Sequence, residues 1–322
     1  MVDAAKNDPT VPVTSGKCPV AVIIPVYNRA SIMLPTLASV AQQSLLPTRV
    51  IVVDDGSSDG TLNAVAQWVE THQPSFETKL IGQPHAQAAA ARNRGLLEMA
   101  GLPLVAFLDS DDRWPNDFLA RTVSALERNP AIVAATVDRR FVDAEGSVFR
   151  RDHCRRLAVD PVSWIFRHGG GIASSTLFRT ETVLAVGPWD ETMESSEDSM
   201  LFVQIALLGR WAHVTGAPVE FHHGNAAAHC EEGNASMRFS DSFRRWAQDY
   251  ELIYDITADR YPEHKRRRLR LSIAVFWYRA GKQLKQQGHS AAAAACFEQA
   301  LFWNPRFLRA WRRRWALRSR IA

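Results

Sequence analysis

The chain has few cysteines and no long hydrophobic segments. Its four cysteines (Cys18, Cys154, Cys230 and Cys296) lie far apart among 322 residues, and no Cys-x-x-Cys pair occurs. This spacing argues against a zinc knuckle and against a disulfide framework. The longest apolar runs are shorter than the roughly 18 residues that a membrane-spanning helix needs, and no signal-peptide pattern opens the chain. We therefore expect a cytoplasmic protein with reduced thiols.

Two nucleotide-binding patterns are also missing. No Gly-x-Gly-x-x-Gly follows any predicted strand, which excludes a dinucleotide-dependent dehydrogenase. A nucleotidyltransferase would need a Gly-rich basic loop after the first strand, where Tyr27-Asn28-Arg29 stands instead. We predict no nucleic-acid partner. With 46% hydrophobic and 22% charged residues, the composition is that of an ordinary globular protein, long enough for one good-sized domain plus an appendage.

Three carboxylates follow directly on a predicted buried strand. Leu104 to Leu108 is a run of five apolar residues, and Asp109, Asp111 and Asp112 come immediately after it. Such a run is typical of a strand buried on both faces of a parallel sheet, and ligands bind at the carboxyl ends of such strands. The Asp-x-Asp pair presents hard oxygen ligands that suit Mg²⁺ or Mn²⁺ carrying a diphosphate. The alternative is that Asp112 only caps a helix opened by Pro115.

Strands and helices alternate along the first hundred residues. Further strands are predicted at 20–26, 50–53 and 79–81, and helices at 31–43, 62–70 and 87–100. This alternation predicts right-handed βαβ units and a parallel sheet. The second strand also ends in acids, Asp54 and Asp55. Helix capping could explain acidic residues at the end of one strand, but it explains less well why two strands end in acidic residues at the same edge of the sheet.

Four segments in order resemble the motifs of the inverting glycosyltransferases of family 2, which have the GT-A fold. They are Val-Ile-Ile-Pro-Val-Tyr-Asn at 22–28, Val-Val-Asp-Asp-Gly-Ser-Ser-Asp-Gly-Thr at 52–61, Ala-Ala-Arg-Asn-Arg-Gly at 90–95 and Phe-Leu-Asp-Ser-Asp-Asp at 107–112. One such motif is a weak signal, but four in the right order and spacing are a strong one. The resemblance covers about two thirds of the chain, roughly residues 20–225. It implies an α/β fold, with a Rossmann-like, mostly parallel sheet flanked by helices and a C-terminal helical extension.

The resemblance also implies a nucleotide-sugar donor lying across the strand ends. The donor-binding candidates are Pro25, Val26, Tyr27, Arg29, Asp54, Asp55, Arg92, Asp109, Ser110 and Asp111. Among them, Pro25 and Tyr27 would pack against the base and ribose, and Asp54 or Asp55 would accept a hydrogen bond from the base. Arg92 would reach a ribose hydroxyl or the diphosphate.

A divalent cation, Mn²⁺ or Mg²⁺, is implied as the cofactor. The metal candidates are Asp111 as the direct ligand, Asp109 and His222. In the segment around His222 the chain departs from the family pattern, because Glu220 stands at an Arg position and Ala227 at a Ser position. These departures put the diphosphate contacts of this loop in question, and the adjacent His223 is the alternative contact.

A general base is required because inversion by direct displacement needs a deprotonated acceptor hydroxyl. The residues from Gly187 to Glu191, followed by Glu197-Asp198, are similar to the family's acceptor-side segment. The resemblance implies that Asp198 is the base. The acceptor-side candidates are Trp189, Asp190 and Glu197. The alternative is that Asp198 is an N-cap or first-turn acid of a helix beginning at Met200.

We therefore expect a metal-dependent inverting glycosyltransferase that moves a hexosyl or N-acetylhexosaminyl group, with UDP as the default nucleotide. The acceptor would be a glycan, glycolipid or protein hydroxyl, and the activity would suit synthesis of cell-surface polysaccharide or glycolipid. The alternative is a noncatalytic module that binds glycans or nucleotide-sugars. Such a module would be expected to lose Asp198 or the Asp-x-Asp pair, and both are present. The choice of sugar and acceptor depends on the loops at 140–175 and 210–235.

We divide the chain into a loose N-terminal arm (1–19), a catalytic domain (20–235) and a basic helical extension (236–322). Within 261–322, 15 Lys and Arg residues stand against two acids, a net charge of +13. Because the whole chain carries +4, residues 1–260 carry −9. Residues 288–305 resemble half of a tetratricopeptide repeat.

The basic extension predicts peripheral contact with the anionic inner face of the cell membrane. Four tryptophans accompany its cations, namely Trp277, Trp303, Trp311 and Trp315, and such a mixture suits the headgroup layer. One alternative is a solvated helix face. Another is that the arginines pair with the acidic body, within the chain or across a homodimer.

Overall fold

The computed structural model describes residues 16–222 and 241–318, which form an eight-stranded sheet flanked by helices. The strands are β1 (Lys17–Val26), β2 (Leu46–Asp54), β3 (Glu77–Gly82), β4 (Leu104–Phe107), β5 (Ile132–Val142), β6 (Val148–Asp152), β7 (Thr176–Arg179) and β8 (Arg210–His222). The helices of the sheet region are α1 (Met33–Ala41), α2 (Thr61–His72), α3 (Gln87–Leu96), α4 (Phe118–Glu127), α5 (Pro161–His168), α6 (Thr180–Val186) and α7 (Glu197–Ala206). They are followed by α8 (Ser242–Thr257), α9 (Glu263–Gln286), α10 (Ser290–Trp303) and α11 (Leu308–Arg318).

The sheet has a parallel half and a mixed half. Its order is β3-β2-β1-β4-β7-β5-β6, with β8 paired to β5. Strands β3, β2, β1 and β4 run parallel, whereas β7 is antiparallel to both β4 and β5. The predicted α/β class with a mostly parallel sheet and a C-terminal helical region is confirmed. The sequence did not predict that β7 would run antiparallel to its neighbours.

Both faces of the central strand β1 are buried. Because side chains alternate along a strand, Ile23 joins one apolar cluster and Ile24 the other. The cluster around Ile24 includes α1 and α4, and the cluster around Ile23 includes α3 and α7. Each fully buried Ile or Leu contributes roughly 1.5–3 kcal/mol. The strand ends that carry the candidate site are therefore held in the centre of the molecule.

The C-terminal helices belong to the same apolar cluster as Ile23. Tyr250 and Ile253 on α8, and Ile273 and Phe276 on α9, are buried in it. The two residues of each pair are three positions apart, so they lie on the same face of their helix, the face that packs in this cluster. The predicted domain boundary at 235/236 lies outside the described residues, as does the N-terminal arm up to residue 15.

Two of the four tryptophans assigned to a membrane surface are internal, which corrects that part of the prediction. The Nε1–H groups of Trp277 and Trp303 both donate to the Glu251 carboxylate, that of Trp277 at 2.6 Å. Amino-acid composition does not show whether a tryptophan is hydrogen-bonded between packed helices or faces outward. Trp311 and Trp315 do face outward, with exposed fractions of 46% and 75%.

Helices α9 and α10 form an antiparallel pair in which Gly281 lies against Phe297. A Cβ atom at Gly281 would come within 2.6 Å of the Phe297 ring. The structure establishes the helix pair only, and the resemblance to a tetratricopeptide repeat stays a prediction. Within 16–222 and 241–318, no helix is both long and apolar enough to span a bilayer.

Candidate active site

The acidic segment after β4 is a turn and not a helix cap. Helix α4 begins only at Phe118, so capping by Asp112 is wrong. The Asp112 side chain is buried and accepts a hydrogen bond of 3.3 Å from the backbone N–H of His222. Burial raises the pKa of Asp112 well above its usual value, and the charges of Asp111 and Asp109 raise it further. Carboxylates crowded in this way favour a cation among them.

Two arginines reach this segment from neighbouring elements. Arg29, just after β1, lies 2.5 Å from Asp111 through its Nη1. Arg92, on α3, donates from Nη2 to Oδ1 of Asp109 at 2.8 Å. Both belong to the predicted donor-binding set, and the structure places both against the Asp-x-Asp carboxylates.

Arg92 also reaches the acceptor-side segment, which no pattern in the sequence indicated. Its Nη1 donates to Oε1 of Glu197 at 3.3 Å, and its guanidinium lies 4.5 Å from the centroid of the Trp189 ring. Burial opposes the charge on Arg92, but the carboxylates of Asp109, Asp198 and Glu197 outweigh it and raise the pKa of Arg92. The buried guanidinium therefore joins the donor side to the predicted base.

The predicted base, Asp198, lies in the first turn of α7 and not at its N-cap. The helix begins at Glu197, and Ser196 precedes it with φ 60° and no side-chain capping bond. Burial of the half-buried Asp198 carboxyl, together with the charge of Glu197, raises its pKa to about 7, although Arg92 opposes the shift. A base with a pKa near the working pH is effective in proton transfer.

A buried hydrogen-bond network fixes the backbone beside Asp198. The Ser199 hydroxyl accepts from the N–H of Gly170 at 2.8 Å and lies 2.9 Å from the Tyr250 hydroxyl on α8. Tyr250 in turn donates to the carbonyl of Ile165 at 3.1 Å. A Cβ atom at Gly170 would come within 2.3 Å of the Ser199 nitrogen. The C-terminal helices thus help to position α7.

At the ends of β1 and β2, an aromatic pair and two acids form the part of the site that is predicted to bind the nucleotide base. Tyr27 stacks on His85 with ring centroids 4.3 Å apart. Asp55 already accepts hydrogen bonds from Gln83 and from the backbone N–H groups of residues 86 and 87 at the start of α3. Asp54 is buried and leaves Oδ1 without a partner among the described residues. Asp54 is therefore the free acceptor of the two.

His85 was missed by sequence reasoning. It lies 2.9 Å from Asp55 through Nδ1 as well as against Tyr27. Its only signal in the chain was its position just before a helix that follows a strand, a common place for ligand contacts in α/β sheets.

Several predicted residues are present mainly through their backbone. Val26 and Ser110 are buried, and their carbonyls accept from the Asp55 N–H and the Thr36 hydroxyl. Pro25 pairs with Val53 inside the sheet. Trp189, by contrast, acts through its side chain. Its ring is 1% exposed, packs between Phe107, Phe202 and Arg92, and so helps to hold the arginine in place.

Asn93 holds the acceptor-side segment to α3. Its side chain bonds both the N–H and the carbonyl of Trp189, at 2.8 and 2.9 Å, and donates to Glu191 at 2.7 Å. Asp190 is exposed and accepts from the backbone and hydroxyl of Thr192. A cavity of about 460 Å³ opens beside this segment, between α3, α7 and α8, and includes Asn93, Asp190 and Gln204 in its wall. It does not include the Asp-x-Asp carboxylates.

The residues at the acidic segment fit a divalent cation by their chemistry. Asp109, Asp111 and Asp112 supply carboxylate oxygens, and the buried Asp112 lacks a cationic partner among the described residues. His222 is next to them through its backbone, while its ring lies 3.2 Å from Glu220. The described residues contain no group of three or more His, Cys, Asp or Glu set for a metal ion. The alternative contact His223 and the family departure at Ala227 lie outside the described residues.

Strained backbone surrounds this site. Of the described non-glycine residues with positive φ, Asn28 (49°), Gln87 (73°) and Ser196 (60°) lie at or next to the ends of β1, α3 and α7, three of the elements that supply the site. Such conformations cost of order 1–3 kcal/mol each and cluster at functional sites.

Comparison with known proteins agrees with this geometry. Residues 21–180 match Glycosyl transferase family 2. The amylovoran biosynthesis glycosyltransferase AmsB of Erwinia amylovora is 26% identical over 294 residues, which cover 88% of this chain and 90% of AmsB. The UDP-Glc:alpha-D-GlcNAc-diphosphoundecaprenol beta-1,3-glucosyltransferase WfgD of Escherichia coli is 31% identical over 110 residues, 34% of this chain and 42% of WfgD.

Solved structures share the fold. The structure of S. aureus TarS 1-349 in complex with UDP-GlcNAc has a TM-score of 0.57 at 16% identity, covering 88% of each chain. The mannosyltransferase PcManGT of Pyrobaculum calidifontis, in complex with GDP-Man and Mn²⁺, has a TM-score of 0.55 at 22% identity. The match covers 92% of this chain and 84% of that one.

Proposed function

We propose that the protein, whose residues 21–180 match Glycosyl transferase family 2, is an inverting, metal-dependent glycosyltransferase. It transfers a sugar from a nucleotide-sugar to an acceptor hydroxyl. The observation that carries this proposal is the buried guanidinium of Arg92, which contacts Asp109 of the Asp-x-Asp pair on one side and Glu197, next to Asp198, on the other.

The donor lies across the ends of β1, β2 and β4. Its base stacks beside Tyr27 and His85 and donates a hydrogen bond to the unpaired Oδ1 of Asp54. A buried acceptor left without a partner costs about 1–3 kcal/mol, which the base N–H recovers. Its diphosphate meets Arg29 and Arg92, whose positive charges offset its own.

Asp111, Asp109 and His222 would hold the cation, with Asp111 as the direct ligand. A bound Mn²⁺ or Mg²⁺ supplies positive charge to the departing nucleotide. The support is the crowding of the carboxylates and the Mn²⁺ in the structural neighbour from P. calidifontis.

Asp198 removes the proton from the acceptor hydroxyl. The oxygen then attacks the anomeric carbon from the side opposite the nucleotide, so the product has the inverted configuration. Glu197 lies 3.3 Å from Arg92, and its negative charge helps to raise the pKa of Asp198. Trp189 and Asn93 hold the loop that leads to the acceptor side.

The nucleotide is taken to be UDP, and the acceptor a lipid-linked or growing envelope polysaccharide. WfgD is named for UDP-Glc and a diphosphoundecaprenol acceptor, and AmsB for amylovoran synthesis. The GDP-Man bound to PcManGT makes GDP-sugars the competing donors. We also propose a peripheral contact with the inner face of the membrane.

The test is a panel of UDP- and GDP-sugars assayed with Mn²⁺ for hydrolysis and for transfer to a disaccharide-diphosphate-lipid. We expect turnover with one nucleotide class, loss of turnover in Asp198→Asn, and an inverted anomeric centre by NMR. The control is Asp259→Asn, since the Asp259 side chain is 99% exposed. Donor binding without any turnover would identify a noncatalytic nucleotide-sugar-binding module, and a retained anomeric configuration would refute direct displacement.

A further inference from the structure

The end of the C-terminal helical region carries a basic pocket. A cavity of about 230 Å³ between α9 and α11 is lined by Lys282, Lys285 and Arg313, together with Gln286 and Phe297. None of the three cations has an acidic partner among the described residues. Three positive charges around one small cavity repel one another, so the pocket favours an anion of matching size.

Beside this pocket, α11 turns apolar side chains outward. Leu308, Trp311 and Trp315 follow one another at spacings of three and four, so they share one face of the helix. Their exposed fractions are 69%, 46% and 75%, and that of Phe302, at the end of α10, is 75%. Large apolar side chains grouped at the surface mark an interaction site.

A different side of α11 packs on the protein. Ala310 is fully buried, and Arg314 contacts Glu298 on α10 at 2.9 Å. Trp311 is held in place by a hydrogen bond of 2.9 Å from Nε1 to the carbonyl of Pro305. These contacts hold α11 in place, and its apolar face stays exposed.

Further unpaired cations flank the apolar face. Arg306, Arg309 and Arg312 are exposed and have no ion-pair partner in the described part of the chain. By contrast, most cations at the start of α9 have an acid nearby, with Lys265 3.7 Å and Arg268 3.9 Å from Asp160. Among the described residues of the extension, most cations without an ion-pair partner therefore lie on α11 or beside it.

We propose that the surface formed by Phe302, the outer face of α11 and the basic pocket docks on an anionic phospholipid bilayer, with a lipid phosphate held between Lys282, Lys285 and Arg313. Indole rings and arginine side chains suit the boundary between headgroups and acyl chains, where apolar and charged groups are satisfied together. A second copy of the chain fits this surface less well, because a twofold contact would set arginines against arginines. The docking does not depend on glycosyl transfer.

The experiment measures co-sedimentation of the full chain with vesicles of phosphatidylcholine, alone or mixed with phosphatidylglycerol. We expect binding to the mixed vesicles only. Because each cation near an anionic surface contributes about a five-fold gain in partitioning, the triple variant Lys282→Gln, Lys285→Gln, Arg313→Gln should bind about 100-fold more weakly. The matched control replaces the exposed Arg151, Arg155 and Arg156 by Gln and should bind like the wild type.

The double variant Trp311→Ala, Trp315→Ala tests the apolar face and should also lose binding to mixed vesicles by at least about ten-fold. Thermal unfolding of both variants should match the wild type, because the altered side chains are not part of the core. Equal binding to neutral vesicles, equal loss in the control triple variant, or no vesicle binding at all would overturn the proposal.

Two further outcomes would also overturn it. Saturable binding of inorganic phosphate at the pocket without vesicle binding would assign the site to a soluble phosphate. A wild-type dimer that dissociates in Trp311→Ala, Trp315→Ala would identify the surface as an interface between copies. Donor hydrolysis measured on the same preparations separates either result from a failure of the proposed transferase activity.

Discussion

The substitution Asp198→Asn tests whether Asp198 is the catalytic base and how much its charge destabilises the folded protein. The substitution keeps the shape of the side chain and removes its charge and its ability to accept a proton. If Asp198 is the base, kcat should fall by about 10² to 10⁴, while donor affinity changes little, because Arg29, Arg92 and the Asp-x-Asp pair are unaltered. In the wild type, kcat/KM should decline as the pH falls through about 7.

The same substitution should stabilise the protein at high pH. The folded pKa of Asp198, about 7, is raised from an unfolded value of 3.8, so its charged form is disfavoured in the folded state. The cost is absent below the unfolded pKa, grows between the two values and is complete above the folded pKa. A shift of this size is worth about 4 kcal/mol in full, and partial exposure of the carboxyl reduces the expected gain to about 1–2 kcal/mol.

The measurements are kcat with saturating donor, donor affinity by calorimetry, and thermal unfolding at pH 5 and pH 8. The variant should melt a few degrees above the wild type at pH 8 and much closer to it at pH 5. Asp259→Asn, at an exposed position, should change none of the three quantities. A matching loss of donor affinity would make Asp198 a binding residue, and destabilisation at both pH values would make it a structural one.

Three further substitutions test other parts of the site. Asp111→Asn should remove most turnover and donor binding with the fold intact, and undiminished wild-type activity in a chelator would refute the metal assignment. His85→Ala removes the ring stacked on Tyr27 and should weaken donor binding by about 3- to 10-fold at nearly constant kcat, whereas a fall in kcat alone would contradict a base-stacking role. Gly170→Ala forces a Cβ to within 2.3 Å of the α7 backbone and should cost about 1–3 kcal/mol in chemical denaturation and lower kcat. Gly171→Ala, whose Cβ would meet only an arginine Nη1 at 3.8 Å, should be tolerated, and equal effects of the two would refute the positioning role.

The parallel half of the sheet was predictable because its signals are local. Each of β1, β2 and β4 contains a short apolar run, and the candidate site residues lie at its end or just after it in sequence: Tyr27 after β1, Asp54 and Asp55 at the end of β2, and Asp109 after β4. The mixed half depends on pairing between distant segments, such as β7 between β4 and β5, and no local pattern encodes the partner or its direction. The prediction therefore stopped at the point where the sheet changes direction.

The candidate site was predictable as a set of residues but not as a set of contacts. Arg92 and Asp109 are 17 residues apart and Arg92 and Glu197 are 105 apart, so their meeting depends on how α3 and α7 pack. The same holds for the Tyr250 hydroxyl, which reaches Ser199 across 51 residues. The roles given to these positions beyond their contacts stay predictions until the variants are measured.

One face of the C-terminal helical region packs on the sheet region, and another face is exposed. A test of the extension therefore has to separate these two roles. The inner faces of α8 and α9 bury Tyr250 and Ile273 in the cluster that also holds Ile23 of β1. Truncation after Asp259 would remove Ile273 and expose that cluster, so we expect it to destabilise the protein whether or not the extension binds a membrane. Loss of stability on truncation therefore does not count against a membrane contact. Only substitutions confined to the outer face, such as Trp311→Ala and Trp315→Ala, separate the two roles, because those rings are exposed and their loss leaves the buried cluster complete.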